Sequence, residues 1–97
     1  NLGNIALELG DTAGAKILLE RALAIQERSY GSEHFHVGKT LGCLALVIND
    51  LGDVAAAKLL FERALAIEER VFGPKNVGVA MTRFLFAGCL VRLMQLT

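Results

Sequence analysis

One feature constrains this chain more than any other: it repeats itself. Leu9-Gly10-Asp11 returns as Leu51-Gly52-Asp53, 42 residues on, and at the same offset the six residues Glu20 to Ile25 return as Glu62 to Ile67. Of the 23 aligned pairs from Leu9/Leu51 to Gly31/Gly73, 16 are identical. The match continues more weakly through Val37/Val79, Thr40/Thr82, Ala45/Ala87 and Leu51/Leu93. Self-similarity at such a period marks an array of stacked supersecondary units, in which each copy buries its apolar surface against the next.

Each copy reads as two helices. Gly10 and Gly52 follow apolar runs, where a helix end favours a left-handed glycine, and Asp11 and Asp53 stand ready to cap the helix behind them. The second helix of each copy is rich in strong helix formers. Its apolar residues recur at spacings of three and four: Ala15, Leu18, Leu19, Ala22, Leu23 and Ile25 in copy one, and Ala57, Leu60, Phe61, Ala64, Leu65 and Ile67 in copy two. It stops at Gly31 and at Gly73-Pro74. The expected helices are 1–9, 12–30, 36–50, 54–72 and 77–95, joined by short connections that make neighbours antiparallel. The expected fold is therefore all-α, antiparallel helix–turn–helix repeats stacked as a solenoid. Small residues set the spacing: Ala45 with Ala57, and Gly3 with Ala15, let two backbones approach while Phe61 or Leu19 fills the adjacent hole.

Composition sharpens this outline. Apolar residues are 54% of the chain, more than a domain this small hides alone, so stacking is required. Ten Lys and Arg balance ten Asp and Glu, which leaves no basic surface for nucleic acid and no polybasic segment for a membrane. The longest charge-free apolar stretches, Leu41 to Ile48 and Phe84 to Val91, are short of the roughly 20 residues of a span. Two cysteines cannot make a disulfide framework, so free thiols and a reducing, cytoplasmic setting are expected. The chain starts in mid-pattern at Asn1, without a leader. It reads as one domain, 1–97, cut from a longer array: copy one at 1–34 and truncated, copy two at 35–76, copy three at 77–97 with its first helix only.

Catalytic chemistry finds little footing. Glu33, His34 and His36 offer three metal ligands in four residues with no fourth in view, and a loop histidine capping the next helix explains His34 more simply. Cys43 and Cys89 lie inside apolar helices without an activating partner in the pattern. No phosphate loop follows a strand. No catalytic residue, metal or cofactor is expected. The Glu-Arg doublets at 20–21, 27–28, 62–63 and 69–70 read as a solvated outer face, with Glu68 beside them on the charged side.

The motifs resemble those of the tetratricopeptide repeat. Leu51-Gly52-Asp53, then Ala57, Phe61 and Ala64 at spacings of four and three, then Pro74, follow its pattern. The 42-residue period, Glu62 to Ile67, Gly73-Pro74, His34, Thr40-Leu41 and Leu44-Ala45 look like the kinesin-light-chain-like subtype. That resemblance implies a protein- or peptide-binding module. The subtype's paired asparagines, which hold a ligand's backbone, are replaced by Gly42-Cys43 and Phe84-Leu85, and only Asn1 and Asn4 remain near the start. Cys43, Met81 and Leu85 occupy three places of the carboxylate clamp used by chaperone-binding relatives.

In such a solenoid the first helix of each copy lines the concave groove. By register the groove positions are Asn4 and Leu7, then Lys39, Gly42, Leu46 and Asn49, then Met81, Phe84, Gly88 and Val91. Phe84, Met81, Leu46 and Val91 are apolar anchors for a peptide or helix, and Asn49 and Lys39 polar contacts. The expected function is non-catalytic protein binding within a scaffold or adaptor. Two other readings stand beside it: a self-associating spacer joined through the last helix, and a sensor array attached to an enzymatic or nucleotide-switch domain elsewhere in a longer protein.

Overall fold

The computed structural model describes residues 12–96. Four helices occupy them: α1 (Thr12–Tyr30), α2 (Phe35–Asp50), α3 (Val54–Phe72) and α4 (Val77–Leu96). The expected bounds of α1 and α3 are met, and α2 and α4 each extend by one residue. The helix expected at 1–9, the Gly3–Ala15 pair, Gly10 and Asp11, and the groove positions Asn4 and Leu7 lie outside the described residues.

Glycine ends the helices as expected. Gly31, Gly52 and Gly73 have φ of 87°, 100° and 85°, backbone that a Cβ disfavours. The starts are capped by side chains. Asp53 accepts the Ala56 amide on its carboxylate at 3.2 Å, and His34 accepts the His36 amide on Nδ1 at 3.2 Å. Asn76 accepts the amides of Gly78 and Val79 on Oδ1. Each occupies an orphan donor of a first turn.

Each helix packs mainly on its neighbours in the chain, and α2 also touches α4. The larger core cluster draws Ala15 and Leu19 from α1, Leu44, Ala45, Val47 and Ile48 from α2, Ala57 and Phe61 from α3, and Cys89 from α4. Ala45 and Ala57 are fully buried beside Phe61, so the expected small-residue crossing exists. A second cluster joins Val37 and Leu41 to Ala64 and Ile67. There the backbones come close: a Cβ on Gly38 would lie 2.9 Å from the Ile67 side chain. Burying Phe61 or Ile67 contributes roughly 1.5–3 kcal/mol each.

Two expectations are corrected. Ile25 belongs to the apolar stripe of copy one, yet it is 64% exposed. Its mate Ile67 is covered by Val37 and Gly38 of α2, and Ile25 has no place in either core cluster of the described residues. The second concerns membranes. The stretch Phe84 to Val91 is short, but α4 as a whole is long and apolar enough to cross a bilayer by length and composition. Its flanks are nevertheless tied to the other helices. The Arg83 guanidinium bonds the Pro74 carbonyl and pairs with Glu69 at 3.0 Å. Arg92 donates to the Asn49 carbonyl at 2.6 Å, and Val79, Thr82 and Cys89 are buried.

Candidate functional site

The first helices of copies two and three, α2 and α4, flank α3 and leave a space between them. It is a cavity of about 390 Å³. Phe35, Lys39, Gly42, Cys43 and Leu46 of α2 form one wall, and Gly78, Thr82 and Leu85 of α4 the other. Phe61, Glu68 and Phe72 of α3 form the floor. Helical periodicity explains the walls: positions 39, 42, 43 and 46, and 78, 82 and 85, each fall on one face at spacings of three and four.

The lining is mostly apolar, with a few polar groups. Thr82 is buried and its hydroxyl lies 3.0 and 3.1 Å from the two Glu68 carboxylate oxygens, and 3.1 Å from the Gly78 carbonyl oxygen. Burial pushes the Glu68 carboxyl above its ordinary pKa, and the Thr82 hydrogen bond works against that rise. Burial also raises the Cys43 thiol, with the Lys39 ammonium lowering it and the Glu68 carboxylate raising it further. Cys43 is thus held as a thiol, not an activated thiolate. Cys89 is buried, and its thiol too is raised by burial. Both cysteines are free. Among the described residues no group of three or more His, Cys, Asp or Glu is placed to hold a metal.

Of the positions read from the register, Lys39, Gly42 and Leu46 line this cavity. Asn49 is already engaged, its carbonyl and side-chain oxygens both facing Arg92. Met81, Phe84, Gly88 and Val91 lie on the other flank of α4, exposed, and line no part of the cavity. The register carried the same flank from α2 to α4, whereas a groove between two helices is walled by opposite flanks. Gly78, Thr82 and Leu85 were missed for this reason. Glu68, on the charged side of α3 by sequence, lines the cavity. Its signal lay in the repeat: Thr82 bonds Glu68 as Thr40 bonds Gln26, one period earlier.

The exposed flank of α4 is itself a feature. Val77, Ala80, Met81, Phe84, Ala87, Gly88, Val91 and Met94 form one uncharged stripe, with Phe84 74% and Met94 75% exposed. Arg83 and Arg92 border it on opposite sides, nine residues and about 180° apart at 100° per residue. The Glu-Arg doublets are only partly given to solvent. Glu27 pairs with Arg63 at 3.5 Å between α1 and α3, Glu69 with Arg83 between α3 and α4, and Glu33 with Arg70. Within α3, Lys58 and Glu62 pair at 3.9 Å. All are half exposed, and such pairs contribute about 0–1 kcal/mol each.

Helix pairs at a 42-residue period, glycine and aspartate at the turns and alanines at the crossings define a protein of the helical-repeat class. The sequence profile of the tetratricopeptide repeat matches residues 1–36 and again 37–77, and the chain belongs to that family. Its members mediate protein–protein interaction and are typically non-catalytic. No curated protein matches the chain.

Proposed function

We propose that the chain is a non-catalytic binding module that seats a peptide or helix of a partner protein in the groove between α2 and α4. The observation that carries this reading is the apolar cavity there, with Lys39, Gly42 and Leu46 on one wall and Thr82 and Leu85 on the other. Ligand sites are concave, mostly apolar and carry a few placed polar groups, and this one has that make-up. The module belongs to a scaffold or adaptor acting in the cytoplasm, and neither nucleic acid nor a membrane is its partner. The 42-residue period and the Leu-Gly-Asp, Glu62-to-Ile67 and Gly73-Pro74 motifs support the kinesin-light-chain-like subtype.

Panning a displayed peptide library on the chain, followed by mapping of amide shifts, tests the reading. Selected peptides should shift Gly42, Cys43, Thr82 and Leu85. Peptides that shift only the exposed stripe of α4, or no peptide retained at all, would refute it.

The stripe supports a second reading, self-association through α4. An uncharged helix face of this extent is normally covered, and helix-on-helix pairing about a two-fold axis is the simplest cover. Light scattering over a concentration series should then give a mass above 10.4 kDa that rises with concentration. Phe84→Ser should lower it. A constant monomer mass up to high micromolar concentration would remove this reading.

A further inference from the structure

Why the cavity exists at all can be answered from one residue. Gly42 sits in the middle of α2, where a glycine is costlier than an alanine by roughly 1 kcal/mol, and it needs no unusual backbone. No heavy atom lies within 4 Å of where its Cβ would be, so it is not there to allow a close helix crossing. Gly38, four residues earlier, is the opposite case, pressed against Ile67. Gly42 has open space in front of it, and that space is the cavity.

The charges of the lining cancel. Lys39 and Glu68 supply one of each sign, and the Glu68 carboxylate already takes the Thr82 hydroxyl. A charged group entering the cavity would be attracted by one of these and repelled by the other, so the lining gives neither sign of charge a net advantage. An uncharged apolar group meets Leu46, Leu85 and the rings of Phe35, Phe61 and Phe72. About 390 Å³ is near the lower end of the roughly 300–1,000 Å³ usual for ligand sites. That is room for a large side chain and not for a helix.

We propose that this cavity is a socket for one bulky, uncharged apolar side chain of the bound partner, aromatic or branched aliphatic, and that Gly42 keeps it open. The inference rests on the groove-binding function and specifies what is read there: a single inserted side chain.

Blocked amino acids serve as probes, N-acetyl-tryptophanamide and N-acetyl-leucinamide against N-acetyl-lysinamide and the α-amide of N-acetyl-aspartate. Binding is followed by the amide shifts of Gly42, Gly78 and Thr82 and by the alkylation rate of Cys43, since Cys89 is buried and stays silent. The two apolar amides should shift these residues saturably and slow Cys43 alkylation, and the charged ones should bind at least tenfold more weakly. Gly42→Leu should cost at least tenfold in apolar-amide affinity, with its fold checked by circular dichroism. Leu46→Glu attacks the same wall and should do likewise, which covers a Gly42→Leu that fails to fold. Phe84→Ser, on the exposed stripe, should change nothing. Equal binding of charged and apolar amides, or a folded Gly42→Leu that binds as before, would overturn the socket. So would alkylation that slows with chain concentration and not with the amides, which would give the site to a second copy. Library peptides that still shift both walls in those cases would leave the groove function standing.

Discussion

The same six residues, Glu-Arg-Ala-Leu-Ala-Ile, occur in α1 and α3 and end in opposite environments. Ile25 of α1 is 64% exposed, and Ile67 of α3 is 1% exposed. Local sequence cannot account for this, because it is identical. The neighbours do: Ile67 packs on Val37, Gly38 and Leu41 of α2, whereas Ile25 belongs to neither core cluster of the described residues. Burial in an array is set by the interface between units, not by the unit. The first helices of copies two and three make the same point. Gly38 and Ala45 of α2 are buried, while their mates Ala80 and Ala87 of α4 are exposed.

The sharpest way to break the comparison is to truncate both isoleucines. Ile67→Ala should destabilise by about 2–5 kcal/mol, because it leaves a cavity among packed side chains. Ile25→Ala should stay within about 0.5 kcal/mol, as exposed substitutions do. Urea denaturation of the two variants side by side checks this. Equal midpoints would mean that Ile25 is covered in solution.

A smaller effect is expected from overpacking. Ala64 is fully buried in the cluster with Val37, Leu41 and Ile67. Ala64→Leu should cost about 1–3 kcal/mol. Its mate Ala22, on α1, is only half buried, so Ala22→Leu should cost clearly less. Thermal melts of both variants give the order, and a larger loss at Ala22 would reverse the assignment of packed and open copies.

The helices were legible because their ends are written locally. Glycines at 31, 52 and 73 and the cap at Asp53 act within one turn of themselves, and the 42-residue offset multiplied each signal by two. The one-residue shift at the start of α2 comes from His34, whose capping of the His36 amide depends on side-chain geometry that the pattern does not carry. α4 starts where expected, at Val77 behind the Asn76 cap, and differs only by one residue at its far end. The site was less legible. Lys39, Gly42 and Leu46 follow from the face of α2 alone, but the opposite wall depends on how α4 is rotated toward α2. That rotation is set by packing on α3, where Val79, Thr82 and Cys89 are buried. Periodicity in a single helix finds the faces, and it does not say which face meets which neighbour. Glu68 shows the same limit from another side. Its residue type and its neighbours Glu69 and Arg70 suggest solvent, and only its partner Thr82 places it in the cavity.

The smallest expected effect compares one hydrogen bond in its two copies. Thr40 donates its hydroxyl to the Gln26 side-chain oxygen between α2 and α1, and Thr82 donates to the Glu68 carboxylate between α4 and α3. The first acceptor cannot ionise and the second can. Burial holds the Glu68 carboxyl above its ordinary pKa, so the folded chain binds this proton more tightly than the unfolded chain does. A group raised in this way gives its stability in full below the unfolded carboxyl value and loses it as pH rises through the folded value. Glu68 therefore makes the fold somewhat less stable as the solution is taken from acid toward neutral pH. Glu68→Gln keeps an oxygen for Thr82, turns the second copy of the bond into the first, and removes that slope. Other carboxyls titrate alike in both proteins, so the difference between them isolates this one. Denaturation of the two proteins at matched pH should show the variant gaining on the wild type from acid to neutral pH. A difference that is flat with pH, or that shrinks as pH rises, would show that the two copies of the bond see the same surroundings.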